Sequence, residues 1–264
     1  MLTKFFKNRS NAGQFQAQKL GEYRNNVVLA VLTLPRVCRT FSFPARIFLL
    51  FFIVSGVGSF AFGRTPIKPH QDISAEERRE AEQRLWSLGY WAGPVDNKFD
   101  SASRHALTAF QKVEARKRTG ILTTDELDAL RRATRPRARF EGYFHIEIDL
   151  TRQILFVIDE SGAISRILSV STGNEERYVD HGEVHRAHTP RGNFKVQRKI
   201  KGWRLSSLGL MYYPSYIFKG FAVHGSLFVP AYPDSHGCIR VPMYAAKELS
   251  NLMPVGLDVI VYDS

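Results

Sequence analysis

Cysteine is nearly absent from this chain, which has two among 264 residues. Two cannot build a disulfide framework of the kind that staples small secreted domains. Long apolar runs are missing as well. The uncharged stretch Ile47 to Phe62 (IFLLFFIVSGVGSFAF) has 16 residues, fewer than the roughly 20 that a spanning helix needs. Acidic residues are absent from positions 1–62 apart from Glu22, against eight basic ones: Lys4, Lys7, Arg9, Lys19, Arg24, Arg36, Arg39 and Arg46. With 44% hydrophobic and 23% charged residues, the chain is neither disordered nor collagen-like. Its length leaves room for about two domains at roughly 100–200 residues each.

The net charge is +12, and residues 1–62 hold +7 of it, leaving +5 for the remainder. The excess is thus mostly a flank of the apolar stretch. A basic flank, a short apolar core and small residues at Ser59 and Ala61 form the pattern of a secretory signal, with cleavage after Ala61. Residues 1–62 therefore read as a signal peptide or signal anchor with a basic N-terminal extension. The length before the apolar run also fits a true start near Val37. Either way the rest is exported to the periplasm or cell wall, tied to the inner membrane by residues 47–62 if the signal is retained. Cys38 lies in this segment, so Cys238 is the only cysteine of the exported part. It has no partner for a disulfide.

From Ser74 the period becomes helical. Ser74 with Glu77 makes a capping box, followed by Ala81, Leu85 and Leu88 before Gly89. Asp100 can cap a second helix bearing Ala106, Phe110 and Val113, and Thr123 with Glu126 opens a third with Leu127 and Leu130. The run Leu85, Leu88-Gly89-Tyr90, Gly93, Val95-Asp96, Phe99, Arg104, Phe110-Gln111 and Gly120-Ile121-Leu122-Thr123 resembles the three-helix peptidoglycan-binding domain. The resemblance covers about 72–132. Asn97 and Asp100 depart from it, standing where glycines are usual, which puts the turn before the second helix in question. An αα packing module without a ligand is the plain alternative. Residues 133–142 hold arginines and a proline and read as a linker.

From Phe144 the period changes to alternation, with Phe144, Ile146 and Ile148 facing one way and His145, Glu147 and Asp149 the other. Further strands are predicted at 154–158, 164–170, 193–200, 220–224 and 257–262, with one helix over 243–252 behind Pro242. The fold class is therefore multidomain: a small all-α three-helix module, then a mainly-β domain over 143–263.

The chemistry of that domain concentrates in His224-Gly225-Ser226 and Ser235-His236-Gly237-Cys238-Ile239-Arg240. A cysteine attacks as its thiolate, which a nearby imidazole and free backbone amides favour. Gly237 allows a tight turn, and the amides of His236, Gly237 and Cys238 could point together as an oxyanion hole. An inert buried cysteine with structural histidines is the competing reading. The motif resembles the signature of the L,D-transpeptidase (YkuD-type) catalytic domain, and the similarity extends to Ser171-Thr172-Gly173 and Thr189-Pro190-Arg191-Gly192-Asn193-Phe194.

The resemblance implies Cys238 as nucleophile, His224 as general base and then acid, and the Gly225 carbonyl as the group that orients His224. It implies oxyanion amides at His236, Gly237 and Cys238, with Ser235 and Arg240 holding the loop or a substrate carboxylate. Tyr212 and Tyr213 could line the acceptor side or belong to the core. The implied reaction is acyl transfer from a peptidoglycan stem tetrapeptide through a Cys238 thioester. A second stem gives a 3→3 cross-link, a wall-anchored protein a wall linkage, and water an L,D-carboxypeptidase. No metal or organic cofactor is required, and the partners are peptidoglycan stem peptides and glycan, not nucleic acid. A non-catalytic wall-binding protein is the alternative of another class.

A second cluster, His181, His185 and His188 with Asp180 and Glu183, admits a metal reading. Gly182 and its polar neighbours instead read as a long loop, which could cover the site as a lid.

Overall fold

The computed structural model describes residues 72–140 and 142–264, which belong to one compact unit. The signal segment read at 1–62 lies outside the described residues. No helix among the described residues is long and apolar enough to cross a membrane.

Three helices come first: α1 (Ala75–Ser87), α2 (Ser101–Val113) and α3 (Thr124–Arg132). At α1 the capping box is complete. Ser74 Oγ accepts from the Glu77 amide at 3.1 Å and the Glu77 carboxylate accepts from the Ser74 amide at 2.8 Å. Thr123 caps α3 by accepting from the Glu126 amide, but Glu126 does not return the bond, because its carboxylate takes Arg116 at 3.0 Å. The two departures from the three-helix pattern keep the turn intact. Asn97 adopts φ 61°, a left-handed conformation that asparagine tolerates better than most residues. Asp100 caps α2 by accepting from the amides of Ala102 and Ser103.

The strands are β1 (His145–Asp149), β2 (Ile154–Ile158), β3 (Ile164–Ser169), β4 (Arg177–Asp180), β5 (Glu183–Arg186), β6 (Gly192–Lys195), β7 (Arg198–Lys199), β8 (Trp203–Ser206), β9 (Gly209–Phe218), β10 (Phe221–Ser226), β11 (Ile239–Pro242) and β12 (Asp258–Tyr262). One helix, α4 (Met243–Leu252), separates the last two. One sheet has the order β3-β2-β1-β12-β6, and a second the order β11-β10-β9-β7 with β8 also on β9. Strands β4 and β5 form a separate hairpin, so the stretch read as a loop around Gly182 is a tight antiparallel turn. Strand β9 escapes an alternation search because Pro214 interrupts it. The pairing of β9 with β10 slips between Val223 and Gly225, and the irregularity accommodates the proline.

Two cores follow from the faces of the first sheet. Ile146, Ile148, Leu155 and Val157 face the second sheet and α4, packing with Val223, Ile239, Val241, Ala246 and Leu249. Ile154, Phe156, Ile158, Ile164 and Ile167 face the other way and pack on Ala81, Leu85, Leu107, Phe110 and Leu127 of the helices. β2 is accordingly apolar on both faces, reading ILFVI without a polar residue. The helical module also joins the edge of this sheet, where Tyr90 bridges Ile167, with the Trp91 amide on the Ile167 carbonyl and the Ile167 amide on the Gly89 carbonyl.

The segment read as a linker is held at several points. Arg135 donates to the carbonyls of Ser87 and Ile164. The amides of Arg139 and Phe140 donate to the buried Glu147 carboxylate at 3.1 and 2.7 Å. These bonds, with those from Tyr262 and His145, explain how Glu147 is tolerated at 0% exposure.

Candidate active site

Strand β10 (FAVHGS) sets the site. Its odd-numbered side chain Val223 enters the core, so Ala222 and His224 face away from α4. Strand β11 runs parallel to it with Val223 opposite Ile239 and His224 opposite Arg240. One residue earlier the register brings Cys238 beside Ala222, on the face that His224 shares. Cys238 is half-buried and packs on Met211, Tyr216 and Ala222, and its thiol is directed at the Gly220 carbonyl at 3.8 Å. Burial pushes the thiol above its ordinary range, with the Ala222 amide and the positive Arg240 opposing the rise.

His224 is buried, and its Nδ1 lies 3.0 Å from the Gly225 carbonyl oxygen. A carbonyl only accepts, so Nδ1 carries the proton and Nε2 is left as the bare, basic nitrogen. Burial lowers the imidazole to about 4, and Arg240 lowers it further while the Gly225 bond opposes. At neutral pH the two groups are therefore a neutral imidazole and a thiol, not the imidazolium and thiolate that the spacing alone allows. His236 differs in every respect that matters for a base. Its ring is exposed and meets the edge of Tyr178 on β4, centroids 4.6 Å apart.

The loop before Cys238 is fixed from three sides. Ser235 Oγ accepts from the Gly237 amide and donates to the Cys238 carbonyl. The Thr172 carbonyl accepts from the amides of Asp234 and Ser235 at 2.9 and 2.8 Å. Arg240 pairs with Asp234 at 2.8 Å, so its guanidinium holds the loop. Gly237 has φ +128°, and a Cβ there would lie 2.7 Å from the His188 carbonyl oxygen. The Gly237 amide is spent on Ser235 Oγ, so it is not the free donor that the sequence suggested.

Tyr212 belongs to the opposite face of the sheet. It pairs with Gly225, whose missing side chain makes room for it, and packs against the α4 core and Trp203. Tyr213 stacks edge-on against Tyr212 at 4.7 Å in a strained φ of 50°. The three histidines of the second cluster do not converge. His181 sits in the β4–β5 turn, His185 stacks on Tyr178, and His188 pairs with Glu175 at 2.9 Å. No group of three metal-ligating side chains occurs among the described residues.

Two contributors escaped the sequence reading. Thr189 Oγ1 accepts from the Gly173 amide and donates to the Gly237 carbonyl, and Tyr178 flanks His236. Thr189 lies in the Thr-Pro-Arg-Gly stretch, a visible signal whose role needed coordinates.

Residues 143–261 match the family model of the L,D-transpeptidase catalytic domain, and residues 74–130 that of a peptidoglycan binding domain. Among solved structures, an L,D-transpeptidase from Xylanimonas cellulosilytica is 38% identical, with a TM-score of 0.69 over 74% of this chain and 97% of that one. The chain belongs to the L,D-transpeptidase family. An L,D-transpeptidase from Stackebrandtia nassauensis is 21% identical, covering 74% of this chain and 95% of that one, with a TM-score of 0.43. A mutant L,D-transpeptidase from Enterococcus faecium is 23% identical over 46% of this chain and 50% of that one, with a TM-score of 0.37. A comparison with curated proteins found no match. An L,D-transpeptidase with an N-terminal peptidoglycan-binding domain acts on peptidoglycan.

Proposed function

We propose that this chain transfers the acyl group of a peptidoglycan stem tetrapeptide through a thioester on Cys238. The observation that supports this best is the His224 Nδ1 bond to the Gly225 carbonyl, which leaves Nε2 free on the face where Cys238 stands. The Cys238 sulfur attacks the carbonyl of the third stem residue while His224 Nε2 takes the thiol proton. The tetrahedral oxyanion is received by the amides of His236 and Cys238. Its collapse breaks the peptide bond, and D-alanine leaves with its amine protonated from His224. The amine of a second stem then attacks the thioester, giving a 3→3 cross-link and restoring the thiol.

A neutral resting pair suits this sequence of steps. The neutral His224 is already the base, and the thiol gives up its proton only as it bonds to carbon. The exported location and attachment through residues 47–62 belong to the same proposal, since stem peptides lie outside the cytoplasmic membrane.

The test is incubation of the protein with a disaccharide tetrapeptide and mass analysis of the products. Release of D-alanine with a transient adduct on Cys238 is expected, and cross-linked dimer when a second stem is supplied. Equal release by Cys238→Ala would overturn the reading. A carbapenem-type β-lactam, being an activated acyl donor, is expected to leave an adduct on Cys238 that Cys238→Ala lacks.

A further inference from the structure

A lysine on the helical module is buried inside the catalytic domain. Lys112, on α2, is 1% exposed, and its amine nitrogen lies 3.0 Å from the Gln153 carbonyl oxygen, 2.7 Å from Ser169 Oγ and 3.0 Å from the Val170 carbonyl oxygen. The amine thus meets three polar partners although no carboxylate is near it. All three acceptors lie at the end of β3 or just before β2, where the Val170 amide also donates to the Gln153 carbonyl, and none is on the module. Burial without a counter-ion holds the amine well below the ordinary lysine range, and apolar packing alone could have attached the module here.

The corner that Lys112 grips is itself strained and leads to the nucleophile. Gln153 is held at φ 61°, unusual for a residue other than glycine. Its side chain donates to Thr172 Oγ1 at 2.7 Å and accepts from the Thr172 amide at 2.9 Å. The Thr172 carbonyl then accepts from the Asp234 and Ser235 amides, and Ser235 Oγ bonds both the Gly237 amide and the Cys238 carbonyl. An unbroken series of hydrogen bonds thus runs from the amine on α2 to the backbone of Cys238.

We propose that Lys112 is a positioning residue for the acyl transfer. By clamping the Gln153–Val170 corner it sets Thr172, and Thr172 sets the loop that carries Cys238 and its neighbouring amides. The helical module is on this account a structural part of the active site as well as a wall-binding unit. The inference rests on the reading of Cys238 as nucleophile.

The test compares Lys112→Met, which keeps the stem and removes the amine, with Ser169→Ala, which removes one acceptor. Arg84→Met serves as a control, since Arg84 donates only within the module, to the carbonyls of Leu130, Arg131 and Ala133. All are made in the full chain, and turnover is counted per active site titrated with a β-lactam. Lys112→Met is expected to lose roughly tenfold to a hundredfold in kcat with little change in KM, and to slow the alkylation of Cys238 by iodoacetamide. Ser169→Ala is expected to move in the same direction by less, and Arg84→Met to lose thermal stability with kcat unchanged. If Lys112→Met does not fold, Ser169→Ala decides. Unchanged kcat and alkylation per site in the folded variants would show that Lys112 merely fastens the module. If the wild type itself releases no D-alanine, the proposed function fails, and the alkylation rates alone decide the role of Lys112.

Discussion

Lys112 and His224 are both buried titratable groups, one at the seam with the helices and one in the site, and they are treated differently. The amine is surrounded by three polar partners, whereas the imidazole has one nitrogen bound and the other spare. The surroundings do not share the contrast. On the helix side, Glu82 accepts from two amides and a hydroxyl, and Ile154 and Phe156 fill the space between layers. On the site side, Ser235, Thr189 and Arg240 are likewise bonded, and His224 Nε2 is the nitrogen left spare. A saturated group stabilises a fold, while a group with unspent bonding capacity is available to a substrate.

The comparison can be broken most severely at Cys238. Cys238→Ala should lower turnover by at least about 10³-fold while leaving the melting temperature nearly unchanged, as checked by D-alanine release and thermal denaturation. Phe156→Ala on the helix side should do the reverse. It should cost about 3–5 kcal/mol in denaturant unfolding, with turnover per folded molecule preserved. An intermediate test lies at Gly225, where an added Cβ would come within 2.6 Å of Ala246 and 3.1 Å of Tyr212 Cβ. Gly225→Ala should destabilise by about 1–3 kcal/mol and also lower kcat, because it shifts the carbonyl that fixes the His224 tautomer.

The pH dependence sharpens the electrostatic half. A base whose protonation is lowered to about 4 is active above that pH, so kcat/KM should rise through an acid limb near 4. A limb near the ordinary histidine value in the pH–rate profile would show that His224 is less buried in solution. The smallest effect is expected at Ser74→Ala, which removes one cap of α1 and should cost about 1 kcal/mol with no change in turnover.

Much of this was legible before any coordinates. Caps at Ser74, Asp100 and Thr123 state their roles locally, since a helix start is decided by four or five neighbouring residues. The pairing of His224 with Cys238 was legible as a motif, and so was a glycine beside each. What could not be read was the set of partners. Nothing at positions 235–237 announces that the Gly237 amide is consumed by Ser235, and nothing at Tyr212 announces which face it takes, because a proline-disturbed strand hides its own alternation. The His181–His188 stretch misled for a related reason: two four-residue strands joined at Gly182 carry too few residues to show a period.

The sequence by itself determined the order of the parts, the helix starts and the family, all of them properties of residues close together in the chain or of a contiguous motif. The tertiary structure alone decided the protonation states of His224 and Cys238, the spending of the Gly237 amide on Ser235, and the burial of Lys112 forty-one residues from Gln153. These depend on desolvation and on hydrogen-bond partners brought together from distant segments, quantities that exist only once the sheets have closed around the site.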